Sequence, residues 1–340
     1  MVHEKRLRTQ RTPEPCPRTG RHAPMRNAFI GAVQEIAERD RRVVFLTGDL
    51  GFMVLEPLAE RLRERFVNVG VAEQNMIGLA TGLAEAGLVP FVYSIGTFAS
   101  MRPYELIRDG PLLHSLPVRI IGVGAGLDYG HNGVTHYALE DVAIMRAQPD
   151  MTIIAPADPA QAAAAAHAST AIDGPIYFRI GKTGAAVAGL DGRFELGRLE
   201  LIGEGRDVAI VALGSIAAEA VQARALVERQ GIEATVAVVA SVQPAPTEDL
   251  IELLEDRPLA ITVEAHYHTG GLGSLVAEVI AEHGLACRLA RIAVERMPRG
   301  QTGSLAFLND AHRLCARAIA ATIAAEPYHT SRPRRSSATP

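Results

Sequence analysis

Short, wholly apolar runs alternate with longer amphipathic stretches along most of this chain. Residues 43–46, 66–69, 90–95, 118–123, 151–155 and 176–180 have the length and the β-branched or aromatic character of buried strands. Helical patterns at 55–65, 72–85, 98–113, 140–147 and 159–171 fall between them. A strand can reach a parallel neighbour only by a crossover, so this spacing predicts βαβ units and a parallel sheet. Residues 183–205 break the alternation: they are rich in glycine, lack a long apolar run and predict a linker. A second alternation follows, with strands predicted at 208–213, 234–239, 260–263 and 288–292 and helices at 216–230, 247–254, 273–283 and 310–324. The predicted fold class is α/β, with two consecutive doubly wound domains at 25–185 and 205–325 joined by a linker at 186–204.

Composition narrows the class. Of 340 residues, 48% are hydrophobic and 21% charged, with a formal charge of −4, an ordinary globular balance without the basic footprint of a nucleic-acid binder. Cys16, Cys287 and Cys315 form no CxxC and have no histidine at metal spacing, so neither a disulfide framework nor a zinc site is expected, and a reducing cytoplasm fits. No apolar run approaches the roughly 18–20 residues of a membrane helix. Residues 1–24 are rich in Arg, Thr and Pro without an apolar stretch; they do not read as a secretory signal and predict a disordered basic arm, as do residues 326–340 at the other end. P-loop, nucleophile-elbow, HExxH and dinucleotide-binding motifs are absent from the sequence.

The segment NVGVAEQNM, residues 68–76, ends a strand, turns at Gly70 and opens a helix with Glu73 in its first turn. A carboxylate there gains from the helix N-terminal dipole, which is one sufficient reason for its presence. The longer segment VGVAEQNMIGLATGLAEAGLVPFVYSIGTFASMRPYELI supplies a second, because it resembles the pyrimidine-binding domain of transketolases and of 1-deoxyxylulose-5-phosphate synthases. The resemblance runs from Met25 to roughly Ala324 and is strongest between Gly48 and Lys182. It implies that Glu73 bonds the N1′ nitrogen of the aminopyrimidine of thiamine diphosphate, where a buried carboxyl can hold or share a proton. It further implies an aromatic pocket around that ring. Phe98, Met101 and Tyr104, at i, i+3 and i+6 of one predicted helix, could wall it from a single face, with Met101 standing where typical transketolases have Phe. Asp49, at its strand end, is expected near the cofactor.

Further along, YGHNGVTH resembles the transketolase loop G-E-D-G-P-T-H. His136 matches the histidine that contacts substrate near the reacting carbon, and an imidazole there can relay a proton. Asn132 stands where the family has an Asp that contacts a donor hydroxyl, and His131 is unusual beside it. Arg179 matches an arginine that binds the acceptor phosphate through its bidentate fork. Two other phosphate contacts are replaced, by Met53 and Gly124, with Arg102 and Arg108 as candidate substitutes. In the second domain, TVEAH followed by GGLGS resembles the family's C-terminal domain. Its glycine turn opens a helix that could receive an anion. The domain is expected to serve packing, and His266 is its most conspicuous residue.

A complete transketolase is about twice as long and carries a G-D-G…N motif for magnesium and diphosphate that is missing here. The resemblance therefore implies a separate N-terminal partner subunit that binds Mg²⁺, a shared thiamine diphosphate, an α2β2 assembly with self-association through both domains, and a small-molecule sugar substrate. Alternatives are the E1 β subunit of a 2-oxo acid dehydrogenase, a deoxyxylulose-phosphate-synthase-like half, and a non-catalytic interaction subunit.

Overall fold

The computed structural model describes residues 24–182 and 184–327; the arm and most of the tail expected to be disordered lie outside these residues. In the first domain the strands are β1 (Val43–Thr47), β2 (Phe66–Asn68), β3 (Val89–Ile95), β4 (Arg119–Val123), β5 (Thr152–Ile154) and β6 (Ile176–Ile180). The helices are α1 (Met25–Arg39), α2 (Glu56–Leu62), α3 (Glu73–Glu85), α4 (Gly96–Met101), α5 (Tyr104–Ile107), α6 (Asp141–Arg146) and α7 (Pro159–Ala168). In the second domain the strands are β7 (Glu200–Ile202), β8 (Val208–Leu213), β9 (Ala234–Val239), β10 (Ser241–Gln243), β11 (Leu259–Tyr267) and β12 (Arg288–Val294). Its helices are α8 (Ala217–Glu228), α9 (Thr247–Glu255), α10 (Leu272–Glu282), α11 (Leu305–Ala311) and α12 (Ala316–Ala325).

The first sheet has the order β10-β5-β6-β4-β3-β1-β2, and its strands from the first domain pair in parallel. β1, β4 and β6 are buried along their whole length, as strands covered by helices on both faces must be. The chain steps from β1 to β2 on one side and returns to β3 on the other. The carboxyl ends of β1 and β3 therefore flank a topological switch point, the place where open α/β sheets bind ligands.

The second sheet, β12-β11-β8-β9-β7, is parallel except for β7. Two short strands were not anticipated. β7 lies inside the predicted linker and pairs antiparallel with β9. β10 belongs to the second half of the chain but closes the edge of the first sheet, Ser241 opposite Ile154. One apolar cluster runs through both halves and includes Met76, Ile120, Val142, Val211, Leu250 and Leu275. Burying a side chain of this size contributes about 1.5–3 kcal/mol, so the domains share a core and not merely a tether.

Candidate active site

The site is built from the loops at the carboxyl ends of β1, β2, β3, β4 and β6. Gly70 leaves β2 with φ of +74°, a conformation that glycine adopts without a Cβ penalty, and the chain then enters α3. Glu73 is the first residue of that helix and is only 3% exposed. Its Oε1 accepts a hydrogen bond from Ser94 Oγ of β3 at 3.2 Å, and its Oε2 accepts one from an Arg102 guanidinium nitrogen at 2.8 Å. The guanidinium carbon lies 4.0 Å from the Phe98 ring centroid. Glu73 and Phe98 thus form a corner, with an acceptor on one wall and an aromatic face as its floor.

His136 adjoins that floor. Its ring centroid is 5.2 Å from that of Phe98, edge to face. On its other side lies Tyr129, centroids 6.0 Å apart, and Lys182 Nζ sits 4.6 Å from the Tyr129 ring centroid. Lys182 leaves the end of β6, where its backbone N–H donates to Asp128 at 2.7 Å and ties that strand end to the loop after β4. Gly124, in the same loop, has φ of +86°, and a Cβ there would run into the Tyr129 ring. The tyrosine therefore fills the space that a side chain at 124 would need. Beside Phe98, a cavity of about 250 Å³ is lined by Thr97, Met101, Val134, Thr135, Tyr267 and Met297.

Comparison with known proteins decides the family. Residues 21–186 match "Transketolase, pyrimidine binding domain", and residues 197–325 match "Transketolase, C-terminal domain". The chain belongs to the transketolase family. It is 35% identical to a 6-deoxy-6-sulfo-D-fructose transketolase subunit of Clostridium sp. (strain MSTE9), over 87% of this chain and 92% of that one. It is 32% identical to one subunit of the apulose-4-phosphate transketolase of Phocaeicola vulgatus, over 82% of this chain and 90% of that one. Among solved structures, one described as a split gene transketolase, inactive beta4 tetramer, superposes with a TM-score of 0.82 at 35% identity, covering 89% of this chain and 98% of that one.

Against this transketolase-family frame, several expected site residues take other places. Arg179 is buried, and its Nε donates to Asp141 at 2.9 Å while another of its nitrogens donates to the carbonyls of Ala138 and Ala265. It clamps the two domains together and is shut away from solvent; Lys182, three positions on, places its ammonium over the Tyr129 ring. Phe98, Met101 and Tyr104 do not share one helix face. The helix stops at Met101, Pro103 breaks it, and Tyr104 begins α5, with its hydroxyl donating to Ile144 O at 2.9 Å and accepting from Gln148 at 2.6 Å. Phe98 alone forms the floor, and Met101 stands beside it, 46% exposed.

Asp49 is exposed, with φ of +55°, and pairs with Asn68, accepting from its side-chain amide at 3.0 Å. His131 and Asn132 lie exposed on the rim. Met53 is 92% exposed. Of the candidate substitute cations, Arg108 pairs with the neighbouring Asp109 and Arg102 with Glu73. The glycine turn before α10 does receive an anion, but from the chain itself: Glu264 accepts from the N–H groups of Leu272 and Gly273 at 2.7 and 2.8 Å. Burial nonetheless pushes its carboxyl up to about 7. His266 donates from Nδ1 to Tyr267 O at 2.8 Å and accepts at Nε2 from Ala143 N–H at 3.3 Å, so the ring is neutral and bolts β11 to α6. Burial lowers its pKa accordingly.

Proposed function

We propose that this chain is one subunit of a split, thiamine-diphosphate-dependent transketolase-type enzyme that moves a two-carbon ketol unit between sugars or sugar phosphates. The observation that carries this reading is the corner made by Glu73 and Phe98 at the switch point of the first sheet. It accommodates a flat group lying on an aromatic face with a nitrogen at a buried carboxyl, and the aminopyrimidine has that shape, with one proton shared between Glu73 and N1′ making the bond. Thiamine diphosphate, when bound, supplies the nucleophilic carbon that carries the ketol unit.

In this assignment Glu73 holds or shares a proton at N1′, and Phe98 supports the ring with Met101 beside it. Tyr104 and Asp49 support the pocket from behind, through α6 and Asn68 respectively. His136, at the edge of Phe98, is the proton donor or acceptor toward substrate oxygens. Asn132 and His131 meet donor hydroxyls at the rim, and Lys182 answers an anionic substrate terminus. The two relatives are named for a sugar phosphate and a sulfo sugar, both of which carry such a terminus.

Both relatives are named as subunits, and the solved neighbour is described as an inactive β4 tetramer. These names support a separate partner subunit and self-association of this chain; we propose further that the partner is N-terminal, binds Mg²⁺ and the diphosphate, and forms an α2β2 assembly, with this chain self-associating through both domains. Among the described residues no helix is long and apolar enough to cross a membrane, and a cytoplasmic setting is part of the same proposal.

Reconstitution with the N-terminal subunit separates the alternatives. Ketol transfer from a ketose supports the proposal; decarboxylation of a 2-oxo acid points to an E1 β subunit, and neither activity to a non-catalytic chain. In the reconstituted enzyme Glu73→Ala should lower turnover by about 100-fold or more, the usual cost of losing a positioned acid, with assembly intact. Retention of most turnover would remove Glu73 from the mechanism.

A further inference from the structure

We infer that Arg102 is a built-in stand-in for the aminopyrimidine, holding the cofactor corner closed in the free chain until the ring displaces it. This inference rests on the function proposed above. The guanidinium makes both contacts that the ring would make. It lies on the Phe98 face with its carbon 4.0 Å from the ring centroid, and it donates to Glu73 Oε2 at 2.8 Å. The other carboxylate oxygen is engaged by Ser94 at 3.2 Å. While Arg102 stays in place, its guanidinium occupies the space over Phe98 and beside Glu73 Oε2 that a ring making the same two contacts would need.

The two partners differ in a way that suits an exchangeable plug. Glu73 is 3% exposed, so an unpartnered charge there is expensive and the free chain gains from pairing it. The Arg102 side chain is 44% exposed and can return to water at little cost once another donor takes its place. It caps the six-residue α4 just before Pro103, and its long, flexible side chain can swing out without moving the backbone. A guanidinium matches, in flatness and donor placement, an aminopyrimidine that has taken up a proton at N1′ as Arg102 leaves; a lysine ammonium in the same position would not.

A plug of this kind reduces apparent affinity by the fraction of time that the corner is open. Full-length wild type, Arg102→Ala, Arg102→Lys and Arg102→Ala/Glu73→Gln would be titrated with 4-amino-5-hydroxymethyl-2-methylpyrimidine and with Mg²⁺–thiamine diphosphate, read by ligand-observed NMR. Thermal melts check that each variant is folded. Arg102→Ala should bind the aminopyrimidine roughly tenfold or more tighter than wild type. Arg102→Lys, which keeps the charge but loses the stacked plane, should also bind tighter and stands in if the alanine variant does not fold. Binding that is equal, weaker or undetectable in the folded Arg102 variants overturns the plug. If that equal binding is lost with Glu73→Gln, the proposed function stands without it. Binding that survives Glu73→Gln shows that the ring never meets Glu73, and both the plug and the functional assignment fall.

Discussion

Arg179 and Asp141 form an ion pair 2.9 Å apart with both side chains shut away from solvent, where the two domains meet. Asp141 also accepts from Tyr177 Oη at 2.9 Å, and Arg179 reaches the carbonyl of Ala265 across the boundary. Breaking one side of such a pair leaves a buried, uncompensated charge. Arg179→Met should destabilise the chain by about 3–5 kcal/mol in chemical denaturation. Adding Asp141→Asn should cost much less than the sum of the two single changes, because the partner charge is gone. A selective rise in KM for a phosphorylated acceptor, with stability unchanged, would restore Arg179 to the substrate pocket.

In the function proposed above, Lys182 takes the role toward an anionic substrate that the buried Arg179 does not. Its ammonium lies 4.6 Å from the Tyr129 ring centroid, and that centroid is 6.0 Å from that of His136. In the reconstituted enzyme, Lys182→Ala should raise KM for an anionic sugar by about tenfold while kcat changes little, the pattern of lost uniform binding. A neutral sugar of the same length should show no such rise.

Gly124 and Tyr129 exclude each other's enlargement. Because Gly124 has φ of +86° and a Cβ there would strike the ring, Gly124→Ala carries both backbone strain and a displaced tyrosine. A loss of more than about 1 kcal/mol in denaturation is expected, together with a shift of the His136 imidazole resonances in NMR spectra. Unchanged resonances would show that Tyr129 does not set the position of His136.

The pH dependence of stability should carry the mark of Glu264. Its folded pKa, near 7, lies above the ordinary 4.5, so between these values the folded chain keeps a proton that the unfolded chain releases. Stability from this group therefore falls as pH rises from about 4.5 to about 7 and levels off above, by on the order of 3 kcal/mol. His266 acts oppositely: its lowered pKa makes stability rise with pH below 6.5. Glu264→Gln should flatten the falling component whatever its fixed cost from the lost charged acceptor. An unchanged slope in denaturation across this window would show that Glu264 titrates as an ordinary carboxyl.

Much of the fold was legible because β1, β4 and β6 are wholly buried, and such strands must be written as unbroken apolar runs. The three-residue strands β7 and β10 were not, since their pairing partners lie far along the chain and three residues carry no period. α1 carries a weak signal too: it follows Pro24 without a side-chain cap and adjoins the arginine-rich arm. The helix break between Phe98 and Tyr104, by contrast, has a visible cause in the sequence, which is Pro103. In the site, Glu73 and Phe98 could be found because each follows a strand in a recognisable motif, whereas Lys182 carries no such local signal.

The sequence by itself determined the α/β class, the two-domain order, the family and the acid at the start of α3, because strand burial, helix period and a glycine turn are local properties written residue by residue. The tertiary structure alone decided which of two nearby cations is buried in the core and which is not. Arg179 and Lys182 are three positions apart, yet one is buried against Asp141 and the other lies over Tyr129. It also brought Arg102 onto Glu73 from 29 residues away. Charges find their partners through space, and the chain's own order does not record those distances.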